Sequence, residues 1–392
     1  MEHSGPADER AALYASVLGF LDDPSVKVRA CLAYALLRSR VAPRLVMLAL
    51  AKDAPIIARA VIQYSPVLID VDLMGIISKA QPDVLLALVE RKHLSKRLVA
   101  ALAKRGEKKS LMRLLSRNDV EITAEILTDL VKCHAGDARF RGILLGRKDL
   151  PAFCRLQLVE EVKNALASSR IVKGAIAPER LERLMRDAMD GATTRIGEQA
   201  AIEHDDGFAT RLHEEDRINT RILLHSLAHG HVLFFADCIS FVAKMPEKKV
   251  FTLLERGSRA ALNALFTQCG MNGAMRNLLA RLVVHARNAD LSSDDAARFF
   301  VVTALIEELI IEHEGNIPES LEEAFRYLDE QNVILARSAA RGVMPAFAQD
   351  VDPEQMLLDD DAGQVPGQAC GHGTSRWGTS LAHDEQLALP AA

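Results

Sequence analysis

The chain has 392 residues, a net charge of −5, 49% apolar residues and only 5% aromatic ones. That length exceeds what one hydrophobic core can serve and calls for two units, while abundant Ala and Leu with few rings suit close helix packing, so the chain reads as all-α. Its start lacks the basic, apolar and small-residue succession of a signal peptide. Its longest apolar runs, such as Leu223-Leu224 and Phe299 to Ile306, fall far short of a membrane span, so no membrane is expected and the cytoplasm is the expected location.

After a polar start, Ala11 to Leu21 is apolar enough for a first helix. Asp23-Pro24-Ser25 then forms a turn in which Asp23 or Ser25 can cap the helix running through Leu36, with Pro24 placed before the hydrogen-bond ladder begins. Asp53 and Arg59 repeat the spacing of Asp23 and Arg29 thirty residues later, so the two pairs correspond, and such groups can bond between neighbouring repeats. Short apolar pieces follow at Leu73 to Ile77, Val84 to Val89, Leu98 to Leu102, Leu111 to Leu115, Ile122 to Val131, Phe140 to Leu145 and Pro151 to Val162. Helices this short depend on neighbours for burial.

Residues 166–216 change character. Gly174, Gly191, Gly197 and the acidic Glu203 to Asp206 interrupt a helical Pro178 to Met189, which suggests a helical connecting region. The helical pattern resumes over 217–348, from Ile222 to Ala228 through Ala296 to Ile311 and Leu321 to Leu328. Residues 349–392, acidic and punctuated by Gly and Pro, with the chain's single Trp, Trp377, read as a disordered tail.

A phrase recurs along the first part: Glu90-Arg91-Lys92-His93-Leu94, Ser116-Arg117-Asn118-Asp119-Val120 and Gly146-Arg147-Lys148-Asp149-Leu150, with a weaker copy at Ser65-Pro66-Val67-Leu68. Steps of 26, 26 and 30 residues separate Leu68, Leu94, Val120 and Leu150. Each copy ends one apolar run and opens another, as in paired helices stacked into a solenoid.

Asp23 to Arg29, Arg147-Lys148-Asp149-Leu150-Pro151, the stretch His229-Gly230-His231-Val232-Leu233-Phe234-Phe235, Leu253 to Gly257 and Ala261 to Leu265 together resemble an alphaproteobacterial family known only as a domain of unknown function with HEAT-like repeats. The resemblance covers roughly residues 10–290. The chain departs from the family where an Ala-Gly-Asp turn is expected before the Phe-Phe pair and His229-Gly230-His231 stands instead. The resemblance implies a HEAT-like α-solenoid of short helix pairs over residues 1–165, followed by a second helical bundle. It brings no reaction with it.

Charge is unevenly distributed. Residues 1–165 hold 26 Lys+Arg against 19 Asp+Glu, or +7, and the remainder holds 22 against 34, or −12. Within the first part, Arg91, Lys92, Lys96, Arg97, Lys104, Arg105, Lys108, Lys109, Arg113 and Arg117 oppose the single acid Glu107. Stacking in register would align Arg91, Arg117 and Arg147 along one exposed edge, a stripe that attracts phosphates or acidic protein surfaces. Cations that merely complement helix C-termini are the plainer account. An acidic protein partner is favoured over nucleic acid because no aromatic rings interleave with these cations. A base-excising enzyme of the HEAT-like kind would need such rings beside a carboxylate, and Trp377 lies in the tail. The opposed halves also permit self-association.

His225 and His229, at i and i+4, could share a metal, but the glutamate of a metalloprotease motif is missing and Gly230 ends the helix before His231. The six cysteines have no Cys-x-x-Cys spacing and read mostly as packing residues. No phosphate loop, nucleophile elbow or dinucleotide turn is present. The expectation is a non-enzymatic scaffold or adaptor without a metal or cofactor, docking an acidic partner along the basic edge, with phosphate-backbone binding as the alternative.

Overall fold

Side-chain caps open several of the helices. Ser95, Asp137, Asn219, Ser258, Asn272 and Asp294 each accept a backbone N–H of the helix they open, which satisfies donors that a helix start leaves free. A computed structural model describes residues 7–349, apart from 206, 288, 292 and 293. Among these residues every regular element is a helix. The acidic tail lies outside the described residues except for Gln349.

The first ten helices are α1 (Ala7–Leu21), α2 (Val26–Leu36), α3 (Arg44–Leu50), α4 (Pro55–Tyr64), α5 (Asp70–Ile77), α6 (Pro82–Val89), α7 (Lys96–Arg105), α8 (Lys108–Leu115), α9 (Ala124–His134) and α10 (Ala138–Leu145). Alternate helices pack on one another: α2, α4, α6, α8 and α10 form one row, and α5, α7 and α9 belong to the other. This two-row stack is what the recurring phrase predicts, because no helix of eight to eleven residues buries its apolar face alone. The core runs from Val17 through Leu50, Leu88, Leu114 and Leu144 to Leu158.

The remaining helices are α11 (Ala152–Ser168), α12 (Arg170–Ala175), α13 (Pro178–Ile202), α14 (Gly207–Glu214), α15 (Thr220–Ala228), α16 (Val232–Ala243), α17 (Glu247–Arg256), α18 (Arg259–Gln268), α19 (Gly273–Ala286), α20 (Asp295–Glu312) and α21 (Glu319–Gln349). They surround a second core extending from Phe153 to Leu335. Helix α11 joins the two cores by facing both: Cys154 and Leu158 lie in the first, Phe153 and Leu156 in the second. Met1–Ala336 forms one compact unit, and of the other, Arg337–Ala392, only the end of α21 is among the described residues.

Two sequence expectations change in the second part. Helix α13 continues through Gly191 and Gly197 to Ile202 and packs on α11, α15 and α16, so it is a central element inside the segment expected to be a connector. Gly197 permits a close approach, whereas at Gly191 a side chain would make only an ordinary contact. A Cβ on Gly197 would lie 2.2 Å from the Phe234 ring, and one on Gly191 would lie 3.5 Å from the His225 imidazole. Helix α21 likewise extends far beyond the expected Leu321 to Leu328.

The paired Asp and Arg residues also connect differently from the expected correspondence. Arg29 forms a two-pronged ion pair with Asp53 of the next repeat, at 2.7 and 2.8 Å, and donates to the Asp23 carbonyl. Asp23 uses its carboxylate to accept the Ser25 N–H. Arg59 forms no ion pair among the described residues and so does not reproduce the role of Arg29; the next inter-repeat pair is Arg44 with Asp72. Cys154 and Cys238 are buried, whereas Cys31 and Cys133 are exposed and do not serve packing.

Candidate functional site

Every helix leaves its last carbonyls without intrahelical partners, and in the stack those carbonyls are met by arginines from the following repeat. Arg91 donates to the carbonyls of Ile62 and Ser65, where α4 ends. Arg117 donates to Val89 and, at 2.6 Å, to Arg91, where α6 ends. Arg147 donates to Leu115 and Arg117, each at 2.9 Å, and to Val120 at 3.0 Å. Arg155 continues the series to Leu145 and Arg147, where α10 ends. A guanidinium suits this role because its fixed fork of donors can hold two or three carbonyls at once and its charge complements a helix C-terminus.

The three recurring arginines are therefore in register, but they point into the stack. The Arg147 side chain is only 4% exposed and that of Arg117 only 11%. The expected row of free cations formed by Arg91, Arg117 and Arg147 is corrected to an internal ladder. Asp119 and Asp149, two residues after their arginines, bind the same guanidinium groups and hold them in place. Each carboxyl is held below its ordinary range, Asp119 by the Arg117 hydrogen bond and Asp149 against its own burial by Arg147. At the equivalent position after Arg91 stands His93, and burial lowers the pKa of Arg91.

The other cluster residues remain exposed, and several are neutralised by acids that lie just outside the sequence window. Arg113 binds Glu90, Lys96 binds Glu121 at 3.2 Å, and Lys108 binds Asp137 at 2.5 Å. The Glu107 carboxylate is used as the cap of α8, accepting from the Lys109 and Ser110 N–H groups. Lys92, Arg97, Lys104, Arg105 and Lys109 are exposed and form no ion pair among the described residues. Three of them, Lys104, Arg105 and Lys109, flank the tight α7–α8 turn, where Gly106 takes φ +70°. The basic surface thus contracts from a stripe to a corner.

In the second core the histidines face inward. The His225 Nδ1 is hydrogen-bonded to the Tyr327 hydroxyl, and His229 Nε2 lies 3.0 Å from the Gln331 side-chain oxygen. The two imidazoles stack at 4.1 Å between centroids. Burial, with His229 alongside, pushes the pKa of His225 down to about 2; burial brings that of His231 down to about 4. The stacked pair is therefore neutral polar packing, tied to α21 by two hydrogen bonds. Beside it, Arg221 binds Asp190 at 2.6 Å and Asp187 at 2.5 Å while lying 4.4 Å from the Tyr327 ring centre.

Glu198, which the sequence reading did not single out, accepts the N–H groups of Leu233 and Phe234 and so caps α16 from the neighbouring α13. No local pattern marks it, because its target lies 35 residues away. His231 occupies the cap position of α16 without a side-chain cap. Among the described residues no group of three or more His, Cys, Asp or Glu side chains could hold a metal ion, and no helix is long and apolar enough to cross a membrane.

Stacked helices with an internal arginine ladder, a polar-bridged second core and a small basic corner define an all-helical protein. The chain belongs to the family described as uncharacterised proteins conserved in bacteria (DUF2336), whose sequence model matches residues 57–310. The match leaves the Asp23 to Arg29 turn outside it and takes in the ladder and most of the second core. No curated protein and no solved structure matches the chain.

Proposed function

We propose that the protein is a non-enzymatic, HEAT-like adaptor of the bacterial cytoplasm that docks an acidic protein segment at the α7–α8 corner. The observation that carries this reading is the exposure of Lys104, Arg105 and Lys109 around one turn, with no carboxylate within ion-pair distance among the described residues. Unpaired cations on a rigid corner attract an anion without first breaking internal ion pairs, and they raise its rate of encounter. The arginine ladder contributes by holding α6, α8 and α10 in fixed register beneath the corner.

Fluorescence anisotropy with a glutamate-rich peptide, and separately with duplex and single-stranded oligonucleotides, tests the proposal over a salt series. The wild-type chain is expected to bind the peptide. The Lys104→Glu/Arg105→Glu/Lys109→Glu variant is expected to bind it at least about tenfold more weakly. Absence of peptide binding at low salt, or equal binding by the variant, rejects the proposal. Stronger, steeply salt-dependent binding of the oligonucleotides would assign the corner to phosphate backbones instead.

A further inference from the structure

A second surface, of the opposite chemistry, lies in the first repeats. Helices α2 and α4 enclose a groove of about 190 Å³ between them, with the buried Ala33, Leu37 and Ile57 at its base and Tyr34 and Ile56 exposed at its rim. Tyr34 is 83% exposed and Ile56 73%. A groove of that size accommodates a phenyl ring, since an apolar cavity of roughly 150 Å³ takes up benzene. Lys27 lies seven residues before Tyr34 on α2, so the two share a face; Arg38, just past the end of α2, stands over the Tyr64 ring of α4, and Arg59 stands about one turn beyond Ile56. All three cations are exposed, and neither α2 nor α4 contains an acid.

The complementary face exists on the same chain. On α20, Phe300 is 65% exposed and Ile311 is 77% exposed, although the rest of that helix buries Val302, Leu305 and Leu309 in the second core. Glu307 and Ile311 follow Phe300 by seven and eleven residues, close to two and three full turns, so the three side chains form one line. That line reads aromatic, acidic, aliphatic, with Glu314 just beyond the helix end. The exposure of Tyr34 and Phe300 shows that neither face is covered by the described residues.

We infer that the α2–α4 groove of one copy receives the Phe300–Glu307–Ile311 face of α20 from a second copy. Phe300 enters the apolar groove beside Tyr34 and Ile56, and Glu307 meets the cations Lys27 and Arg59 that flank it. Such a contact joins different surfaces on the two partners, so each added copy leaves one groove and one α20 face open, and association continues until a ring closes or a filament grows.

Sedimentation velocity of the full chain over a concentration series tests this, with a groove-blocked variant, Tyr34→Glu/Ile56→Glu, and a face-blocked variant, Phe300→Asp/Ile311→Asp. The wild-type chain is expected to rise in mass with concentration to the dimer and beyond. Each variant alone is expected to remain a monomer, and an equimolar mixture to form dimers that go no further, because one intact groove and one intact face remain. A monomeric wild-type chain at every concentration overturns the inference. So does a variant that still associates alone, or a mixture that stays monomeric while the wild type assembles. Should the apolar-to-acid variants misfold by circular dichroism, Lys27→Glu/Arg59→Glu and Glu307→Lys replace them. Each is expected to weaken self-association, and the mixture of the two to regain it; no weakening overturns the inference. The α7–α8 corner is untouched in all of these variants, so the outcome is separate from that of acidic-peptide binding.

Discussion

Arg147 reaches back across the stack to the main-chain carbonyl of Arg117 at 2.9 Å, the same step that Arg117 makes to the carbonyl of Arg91. Each arginine thus both clamps the repeat before it and presents its own carbonyl to the next. The ladder ties helix ends that are about 30 residues apart in sequence and turns a series of marginal helices into one object. Its members are satisfied internally and have little left to offer a partner.

Of the three recurring arginines, Arg91 alone lacks an aspartate two residues later. Asp119 and Asp149 back Arg117 and Arg147, whereas Arg91 is followed by the exposed His93. The substitution His93→Asp is expected to supply the missing carboxylate and raise stability by about 0.2–1 kcal/mol, the range for a partly exposed ion pair. Urea denaturation of the variant beside the wild type measures this, and the gain should shrink at high salt.

The buried histidines make stability sensitive to pH above the carboxylate range. His225 has its folded pKa pushed down to about 2 from an ordinary 6.5, so the unfolded chain binds a proton that the folded chain refuses. The contribution is complete above 6.5 and is lost as pH falls below that value toward 2, and His231 behaves alike down to about 4. Proton NMR should show the His225 ring unchanged from about pH 8 to about pH 5, while an exposed imidazole titrates. The double variant His225→Gln/His231→Gln should flatten the dependence of stability on pH in that window.

A separate acid limb comes from Asp137, which both caps α10 and pairs with Lys108. Its pKa is held down to about 2 from an ordinary 3.8, chiefly by the Lys108 hydrogen bond. Its stabilisation is present above 3.8 and disappears as pH falls toward 2. In Asp137→Asn, denaturation curves should converge on those of the wild type as pH falls through this range and separate from them above it.

Two helical glycines should respond to alanine in opposite directions. Gly197→Ala would force a methyl to within 2.2 Å of the buried Phe234 ring, and overpacking of this kind costs about 1–3 kcal/mol. At Gly142, inside α10, an added methyl would meet nothing within 4 Å, so Gly142→Ala should stabilise by about 0.5–1 kcal/mol through better helix propensity. Thermal melts of the two variants check the sign of each change.

The stack was legible because Arg117 and Arg147 recur with the same neighbours, and repetition of a short phrase between apolar runs is a direct imprint of repeated packing. The direction of those side chains was not, since a row of cations and a row of clamps leave the same letters in the chain. The deciding partners are main-chain carbonyls, which every residue carries and no sequence pattern marks. Neutralisation of the basic cluster was hidden for a related reason: Glu90, Glu121 and Asp137 lie outside the window that holds Arg113, Lys96 and Lys108, and only folding brings them across. Gly191 and Gly197 looked like interruptions because the packing of His225 and Phe234 against α13, from 34 or more residues away, cannot be read locally.

Equilibrium denaturation of Arg147→Lys against Lys104→Glu/Arg105→Glu tests the division between internal ladder and external corner most directly. Lysine keeps the charge but lacks the fork that holds the carbonyls of Leu115, Arg117 and Val120, so this variant should lose about 1–3 kcal/mol, the cost of leaving buried carbonyls without a donor. The corner variant should stay within about 0.5 kcal/mol of the wild type. Equal stability of Arg147→Lys and the wild type would contradict the ladder.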